Sequence, residues 1–294
     1  VVQVEGPFII RGFSMVIVQV NPIQFNPVEH NLNVFSEIDV ELAFQGGDYR
    51  KRDNRLSSPP FDQMLERIVL NKSMLKSQTT SRKAYESGNS LLIITDSDFL
   101  DAANELRDWK IRRGIETEIR TTDDTGFTAQ AIRNYIINAY ENWDVAPTYV
   151  LLLGDVEYIP CHYETIHPSH NTLTGTDLYY AAVDGDDFFP DIHLGRISVD
   201  TNQEALNRVR DIVNYERNPV SDPSFYNNIA VCGQYQEGRR FIQTSEDLAV
   251  YFSDSNHLNQ YSIDRIYVTH DFINPTHWTG YFTDEGYVTE PNDE

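Results

Sequence analysis

From residue 90 onward, short apolar runs alternate with amphipathic segments of helical period, and this alternation restricts the possible folds most. "LLIIT", "IETEIRT", "YVLLLGD" and "DIHLGRISV" read as strands. Between the first two, "DFLDAANELRDWKIRRG" sets Phe99, Ala103, Leu106 and Lys110 at helical spacing, with Trp109 widening the apolar face. Arg112 and Arg113 fall in its last turn and Gly114 follows, an ending that suits the helix dipole. "TAQAIRNYIINAYENW" places Ile132, Tyr135, Ile136, Ala139 and Trp143 on one side. "TNQEALNRVRDIVNYERNP" opens on Thr201 and Glu204, a capping box, and stops at Asn218-Pro219. Strand and helix in alternation predict an α/β fold, a mainly parallel sheet with helices on both faces.

The pattern restarts after "PVSDP", with "NNIAVCG" and "SIDRIYVT" as strands around the helix "RRFIQTSEDLAVYF". Residues 88–218 are therefore expected to form one α/β domain and 219–294 the start of a second, incomplete one. Residues 1–48 read differently. In "EIDVELAF", Ile38, Val40, Leu42 and Phe44 alternate with Glu37, Asp39, Glu41 and Ala43, and "FSMVIVQV" is another strand. Asn26-Pro27 and "EHNLN" are turn signals, so an antiparallel unit, a small sandwich, is expected. Residues 49–87 read as a linker carrying one docked helix in "FDQMLERIVLNKS". Its basic clusters, Arg50-Lys51-Arg52 and Arg82-Lys83, fit a solvated tether or a protease-sensitive processing segment. The start reads as the middle of a strand-rich region and the end closes no element, as if both were cut from a longer precursor.

The 294 residues suffice for about two domains at roughly 100–200 residues each. No apolar run approaches the ~20 residues needed to span a bilayer. A net charge of −22, from 23 Lys and Arg against 45 Asp and Glu, argues against nucleic acid as a partner. It fits a secreted protein that holds cations. No Gly-x-Gly-x-x-Gly, phosphate loop or Gly-x-Ser-x-Gly elbow is present.

The segment "DLYYAAVDGDDFFPDIHLGR" collects five aspartates. A solvated loop, a bound cation and a catalytic carboxylate pair all stay open from spacing alone. Asp155 lies just past the strand "YVLLL", and Asp184, Asp186, Asp187 and Asp191 come some thirty residues later. Calcium takes 6–8 oxygen ligands and would relieve their repulsion if the two loops met. Cys161-His162 follows the same strand, but adjacent strand residues point to opposite faces, so Cys161 reads as structural. Cys232 reads as core, and two cysteines are too few for a disulfide framework. His162, His167 and His170 near Cys161 and Glu164 match no common zinc spacing and read as a polar surface loop. No chemistry attaches to His270 or His277.

Three motifs in order resemble the gingipain-type cysteine peptidases: "DWK..RG..TE", "YVLL.GD...IP", and "D..Y......D....D...GR.S" running into a helix that ends "YERN". The resemblance covers residues 88–218 well and 224–270 weakly, and residues ~5–48 resemble the end of the family's β-rich propeptide. It implies a caspase-like catalytic region of two subdomains, made as a secreted precursor and freed by cleavage at basic residues. It also implies a structural calcium, held by the side chains of Asp155, Asp187 and Asp191 and the backbone carbonyls of Asp184 and Phe189. The family's catalytic His and Cys lie beyond the strand matching "RIYVT", in motifs that do not occur before Glu294, so no catalytic residue carries over. Arg-specific members place an acidic residue where Ile242 stands here.

The expected function is the N-terminal portion of a secreted or cell-surface, calcium-stabilised cysteine endopeptidase precursor. Its expected partners are a protein or peptide substrate, its own propeptide and the remainder of the catalytic region. The alternative is a non-catalytic, calcium-stabilised surface or adhesion module on a peptidase-like fold.

Overall fold

A computed structural model describes residues 1–43, 52–78, 90–167, 172–235, 240–254 and 261–268. The chain divides into two compact units, residues 1–214 and 215–294.

The first unit opens with two antiparallel hairpins. β1 (Val2–Ile10) pairs with β2 (Phe13–Val20), and β3 (Ile23–Asn26) pairs with β4 (Asn31–Val34). Ile10 faces Phe13 across a two-residue turn, with φ 46° at Arg11 and 77° at Gly12. Two successive left-handed residues give the tight turn whose twist matches that of the strands. A Cβ at Gly12 would also lie 2.8 Å from Leu56 Cδ1, so the position needs glycine twice over.

The expected antiparallel unit is present; among the described residues its two hairpins are separate two-stranded sheets. Glu37–Ala43, expected as a strand, has no strand pairing, and Phe44 lies outside the described residues. Alternation specifies a face, but a strand also needs a neighbouring edge for its N–H and C=O groups. Val40 and Leu42 are left exposed.

After a 3-10 turn at Asn54–Leu56 come α1 (Pro59–Ile68) and α2 (Lys72–Gln78). Prolines at the start of α1 are tolerated because first-turn N–H groups have no intrahelical partner. α1 buries Phe61 and Leu65 against Ile10 and Phe13. Arg52, expected in an exposed basic cluster, is buried. It ion-pairs with Asp62 at 2.5 Å, donates to the carbonyl oxygens of Arg11 (2.9 Å) and Leu56, and lies over the Phe13 ring. A folded Arg52 is thus withheld from a processing enzyme, while Arg50, Lys51, Arg82 and Lys83 lie outside the described residues.

The α/β part runs β5 (Ser90–Thr95), α3 (Leu100–Arg112), β6 (Glu116–Thr121), α4 (Thr122–Thr125), α5 (Ala129–Asn142) and β7 (Tyr149–Leu153). It continues through a hairpin of β8 (His162–His167) and β9 (Thr172–Thr176) to β10 (His193–Ile197) and α6 (Asn202–Arg217). The sheet order is β10-β7-β5-β6, and every pair is parallel. Alternate residues of β5 serve the two faces. Leu92 and Ile94 pack with Ile132, Ile136 and Ala139 of α5; Leu91 and Ile93 pack with Ala103 and Leu106 of α3 and Val209 and Val213 of α6. Burying such a side chain contributes roughly 1.5–3 kcal/mol. β8 and β9 occupy the stretch expected as a polar surface loop. At Gly175 a Cβ would lie 2.8 Å from Cys161 Sγ, so the close approach of the thiol requires glycine.

The second unit contains α7 (Pro223–Tyr226), β11 (Asn228–Gln234), α8 (Phe241–Ser253) and β12 (Ser262–Val268). β11 and β12 are parallel, and Ile242 and Ala249 of α8 pack on Val231 and Tyr267. Cys232, expected in the core, is exposed. Val231 takes the α8 side of β11, so its neighbour lies on the other face.

Candidate functional site

The aspartates of residues 177–191 do not act as one group. Asp177 forms a two-pronged ion pair with Arg196, both contacts 2.8 Å, while Arg196 also donates to the carbonyl oxygens of Gly154 and Ile159. Asp186 is exposed. Asp184, Asp187 and Asp191 sit with the tip of the β1–β2 hairpin.

Asp191 precedes β10, whose His193 is in register with Tyr149, the first residue of β7. Asp191 therefore marks the N-terminal edge of the sheet, and it is fully buried. Its Oδ1 accepts the Arg11 N–H at 2.6 Å. Its Oδ2 accepts the N–H groups of Val183 (2.9 Å) and Asp184 (2.8 Å). Asp187 accepts the N–H groups of Ile9 and Phe189, both at 2.8 Å, and Asp184 Oδ2 accepts the Tyr140 hydroxyl at 3.1 Å. The rings of Phe8 and Phe189 meet edge to face, 5.0 Å apart. Asp187 and Asp191 thus satisfy the Ile9 and Arg11 N–H groups of the hairpin tip as well as donors of their own loop.

The Arg11 side chain is fully buried in the same place. Nε donates to Leu56 O (2.9 Å), Nη1 to Pro147 O (2.8 Å) and Asp191 O (3.0 Å), and Nη2 to Ala146 O (3.0 Å) and Thr148 Oγ1 (3.5 Å). Burial lowers its pKa to about 10, so it stays charged at neutral pH. Burial pushes Asp191 up to about 6, against the pull of its three backbone donors and with a further push from Asp184. Burial and Arg11 together lower the pKa of His193, whose ring lies on Phe61. Tyr140 is pushed up by burial and by the charges of Asp191 and Asp184.

Asp155 is elsewhere. It follows β7 at the C-terminal edge, the length of that five-residue strand away from Asp191, roughly 16 Å at about 3.3 Å per residue. The structure therefore does not bring the five implied calcium ligands, Asp155, Asp184, Asp187, Phe189 and Asp191, to one point. Asp155 instead groups with Glu157 and Asp200, with one carboxylate oxygen of each within 4.8 Å of the others. Glu157 and Asp200 are exposed; slight desolvation, then the charges of Asp155 and Glu157, raise the Asp200 carboxyl above its usual range. Two residues on, Asn202 Oδ1 is buried without a hydrogen-bond partner. The group lies beyond the carboxyl ends of the neighbouring strands β7 and β10, the end of an open α/β sheet where sites usually gather. Glu157 and Asp200 are absent from the sequence expectation. The available signal is that "GDVE" and "ISVD" both end strands that prove to be parallel neighbours.

Cys161 and His162 diverge. The His162 ring stacks on Tyr179 at 3.9 Å and Nε2 lies 2.8 Å from Glu164 Oε1, while the Cys161 thiol hydrogen-bonds the Tyr163 side chain. His170, His270 and His277 lie outside the described residues. A cavity of about 390 Å³ opens beside Glu116, Glu118, Trp143 and Asp144, with Arg120 on its wall already bonded to Glu118 and Tyr135.

The family model "Peptidase family C25" matches residues 84–290, and that for "Propeptide_C25" matches residues 1–57. The chain belongs to peptidase family C25. It is 26% identical over 265 residues to Lys-gingipain of Porphyromonas gingivalis, covering 87% of this chain and 15% of that protein. It is 26% identical over 277 residues to gingipain R2 of the same organism, covering 92% of this chain and 36% of that protein. The chain thus spans well under half the length of these curated relatives. Its fold is similar to that in the crystal structure of the Arg-specific cysteine proteinase gingipain R, with TM-score 0.50 and 23% identity over 68% of this chain and 44% of that one. It is equally similar to the complex of RgpB pro- and mature domains, with TM-score 0.50 and 23% identity over 65% of this chain and 43% of that one. The parallel sheet with its flanking helices is caspase-like. In this C25 chain, then, Arg11 joins the propeptide match to the peptidase match.

The folded-state pKa of Asp191, about 6, lies above the ~3.9 of an unfolded carboxyl. Its contribution to stability is full below pH ~4 and is lost as pH rises through about 6. Relative to Asp191→Asn, which has no such proton, the wild type should lose about 2 kcal/mol of its margin between pH 4 and pH 7. Urea unfolding midpoints of both proteins across this range measure it, and a margin that stays constant or grows contradicts the assignment.

Proposed function

We propose that this chain is the propeptide end and the first catalytic subdomain of a cysteine endopeptidase precursor. Residues 1–48 would be propeptide-like, 49–87 the processing region, 88–218 the first catalytic subdomain and 219–294 the start of the second. The observation that carries this reading is the succession of a propeptide match and a peptidase match along one chain. In the whole enzyme a histidine would generate a cysteine thiolate, which attacks a peptide carbonyl to give an acyl-enzyme that water resolves. Neither described cysteine suits that role. Cys161 is packed on Gly175 beside a histidine engaged with Tyr179 and Glu164, and Cys232 lies on an exposed strand face. This segment would scaffold the chemistry. A peptide substrate, its own propeptide and the rest of the catalytic region are the partners that go with this reading, and a secreted or cell-surface location completes it. Among the described residues, no helix is long and apolar enough to cross a membrane.

Among the described residues, the group that supports a structural calcium is Asp155, Glu157 and Asp200. Hard carboxylate oxygens suit that ion, and a buried unpartnered carbonyl oxygen stands two residues from Asp200. It would brace the C-terminal edge of the sheet.

Two measurements test these readings. A peptide-derived, thiol-directed electrophile should label the full-length protein at a cysteine other than Cys161 and Cys232 and leave this chain unlabelled. Labelling of Cys161 that substrate suppresses would overturn the assignment. Chelation should lower the melting temperature of this chain, and Asp200→Ala should remove that sensitivity. An unchanged melt excludes the calcium.

A further inference from the structure

The carboxylates around the hairpin tip explain its backbone donors, but not why the turn carries arginine. A two-residue turn with two left-handed positions favours Asn-Gly or Gly-Gly. Holding a non-glycine residue there costs about 1–2 kcal/mol. Arg11 occupies the first position at φ 46° with its side chain completely buried.

The surroundings match the chemistry of one group. A guanidinium has five N–H donors in a fixed plane. All five meet an acceptor here: the carbonyl oxygens of Leu56, Ala146, Pro147 and Asp191, and the hydroxyl of Thr148. The rings of Phe61 and Tyr140 stand 5.2 and 5.8 Å from Cζ, close enough for their faces to attract the cation. Lysine, with three donors on one atom, cannot reproduce this set. Four of the five acceptors belong to the peptidase match, and Leu56 belongs to the propeptide match.

We infer that the N-terminal edge of the sheet is an arginine-recognition site, and that it retains the β1–β2 hairpin without a covalent link. Calling the two sides propeptide and peptidase rests on the proposed function; the recognition itself does not. The site lies at the opposite edge from the strands' carboxyl ends. The hairpin tip therefore braces the sheet from the edge opposite the strands' carboxyl ends.

The test cuts the folded chain at a specific protease site inserted between Gly46 and Gly47, followed by gel filtration and mass spectrometry. The wild-type fragment of residues 1–46 should stay with the remainder. In Arg11→Met and Arg11→Lys it should dissociate about a hundredfold faster or more, since one partner of a buried, charged hydrogen-bond set is lost. Circular dichroism of the uncut variants shows whether they fold. If they do not, synthetic hairpins of residues 1–22 are offered to the cut wild type. One carries Arg11 and the other carries citrulline, its neutral isostere, at that position. The arginine peptide should exchange in and the citrulline peptide should not. Prompt release from the cut wild type, undiminished retention in Arg11→Met, or equal exchange of the two peptides overturns the inference. A full-length protein without peptidase activity would sink the proposed function and leave these results unaffected.

Discussion

A charged guanidinium with no solvent contact is the constraint on which the first unit depends. Removing such an ion from water costs several kcal/mol even after relaxation. The cost is offset only if each donor has an acceptor and a counter-charge is near. At Arg11 the acceptors come from residue 56, from residues 146–148 and from residue 191, which are far apart in sequence. Satisfying one side chain therefore fixes the hairpin tip, the approach to β7 and the approach to β10 relative to one another. Asp191 contributes its carbonyl to the guanidinium and its carboxylate to the Arg11 N–H, tying the same residue down at two points.

The acidic segment takes its meaning from this arrangement. Buried carboxylates beside one another repel, and Asp184 indeed raises the pKa of Asp191. They persist because backbone N–H groups converge on them and a buried cation lies alongside. At Asp187 and Asp191 the loop is tied by hydrogen bonds to residues 9 and 11. Asp155 belongs to the other edge, with its own carboxylate neighbours. Arg52 and Asp62 repeat the theme next to Arg11, with a second buried guanidinium donating to the Arg11 carbonyl.

Much of the sheet was legible because its signals are local. "LLIIT" is buried on both faces, and the helix faces of Phe99, Ala103 and Leu106 and of Ile132, Ile136 and Ala139 cover those two sides. Long-range pairing was not legible. "EIDVELAF" alternates as a strand should, yet no partner edge lies among the described residues. The short sequence "IIRGF" shows a turn, and an arginine in a turn is ordinarily solvated; its burial follows from five acceptors, four of them at least 130 residues away. Arg52 misled for the same reason, since basic composition describes solvated chain until a carboxylate such as Asp62 is folded onto it. Asp184, Asp187 and Asp191 were picked out together and lie together. Placing Asp155 with them overlooked that a parallel β7–β10 pair puts the two loops at opposite ends.

Nitrogen-detected NMR of the arginine side chains at neutral pH is the most direct test of a buried, fully bonded Arg11. The expected result is a set of separately resolved, slowly exchanging Nη–H signals that disappear in Arg11→Lys, because rotation about Nε–Cζ would break hydrogen bonds to Ala146, Pro147 and Asp191. A single averaged signal in rapid exchange with water, like those of surface arginines, would contradict it.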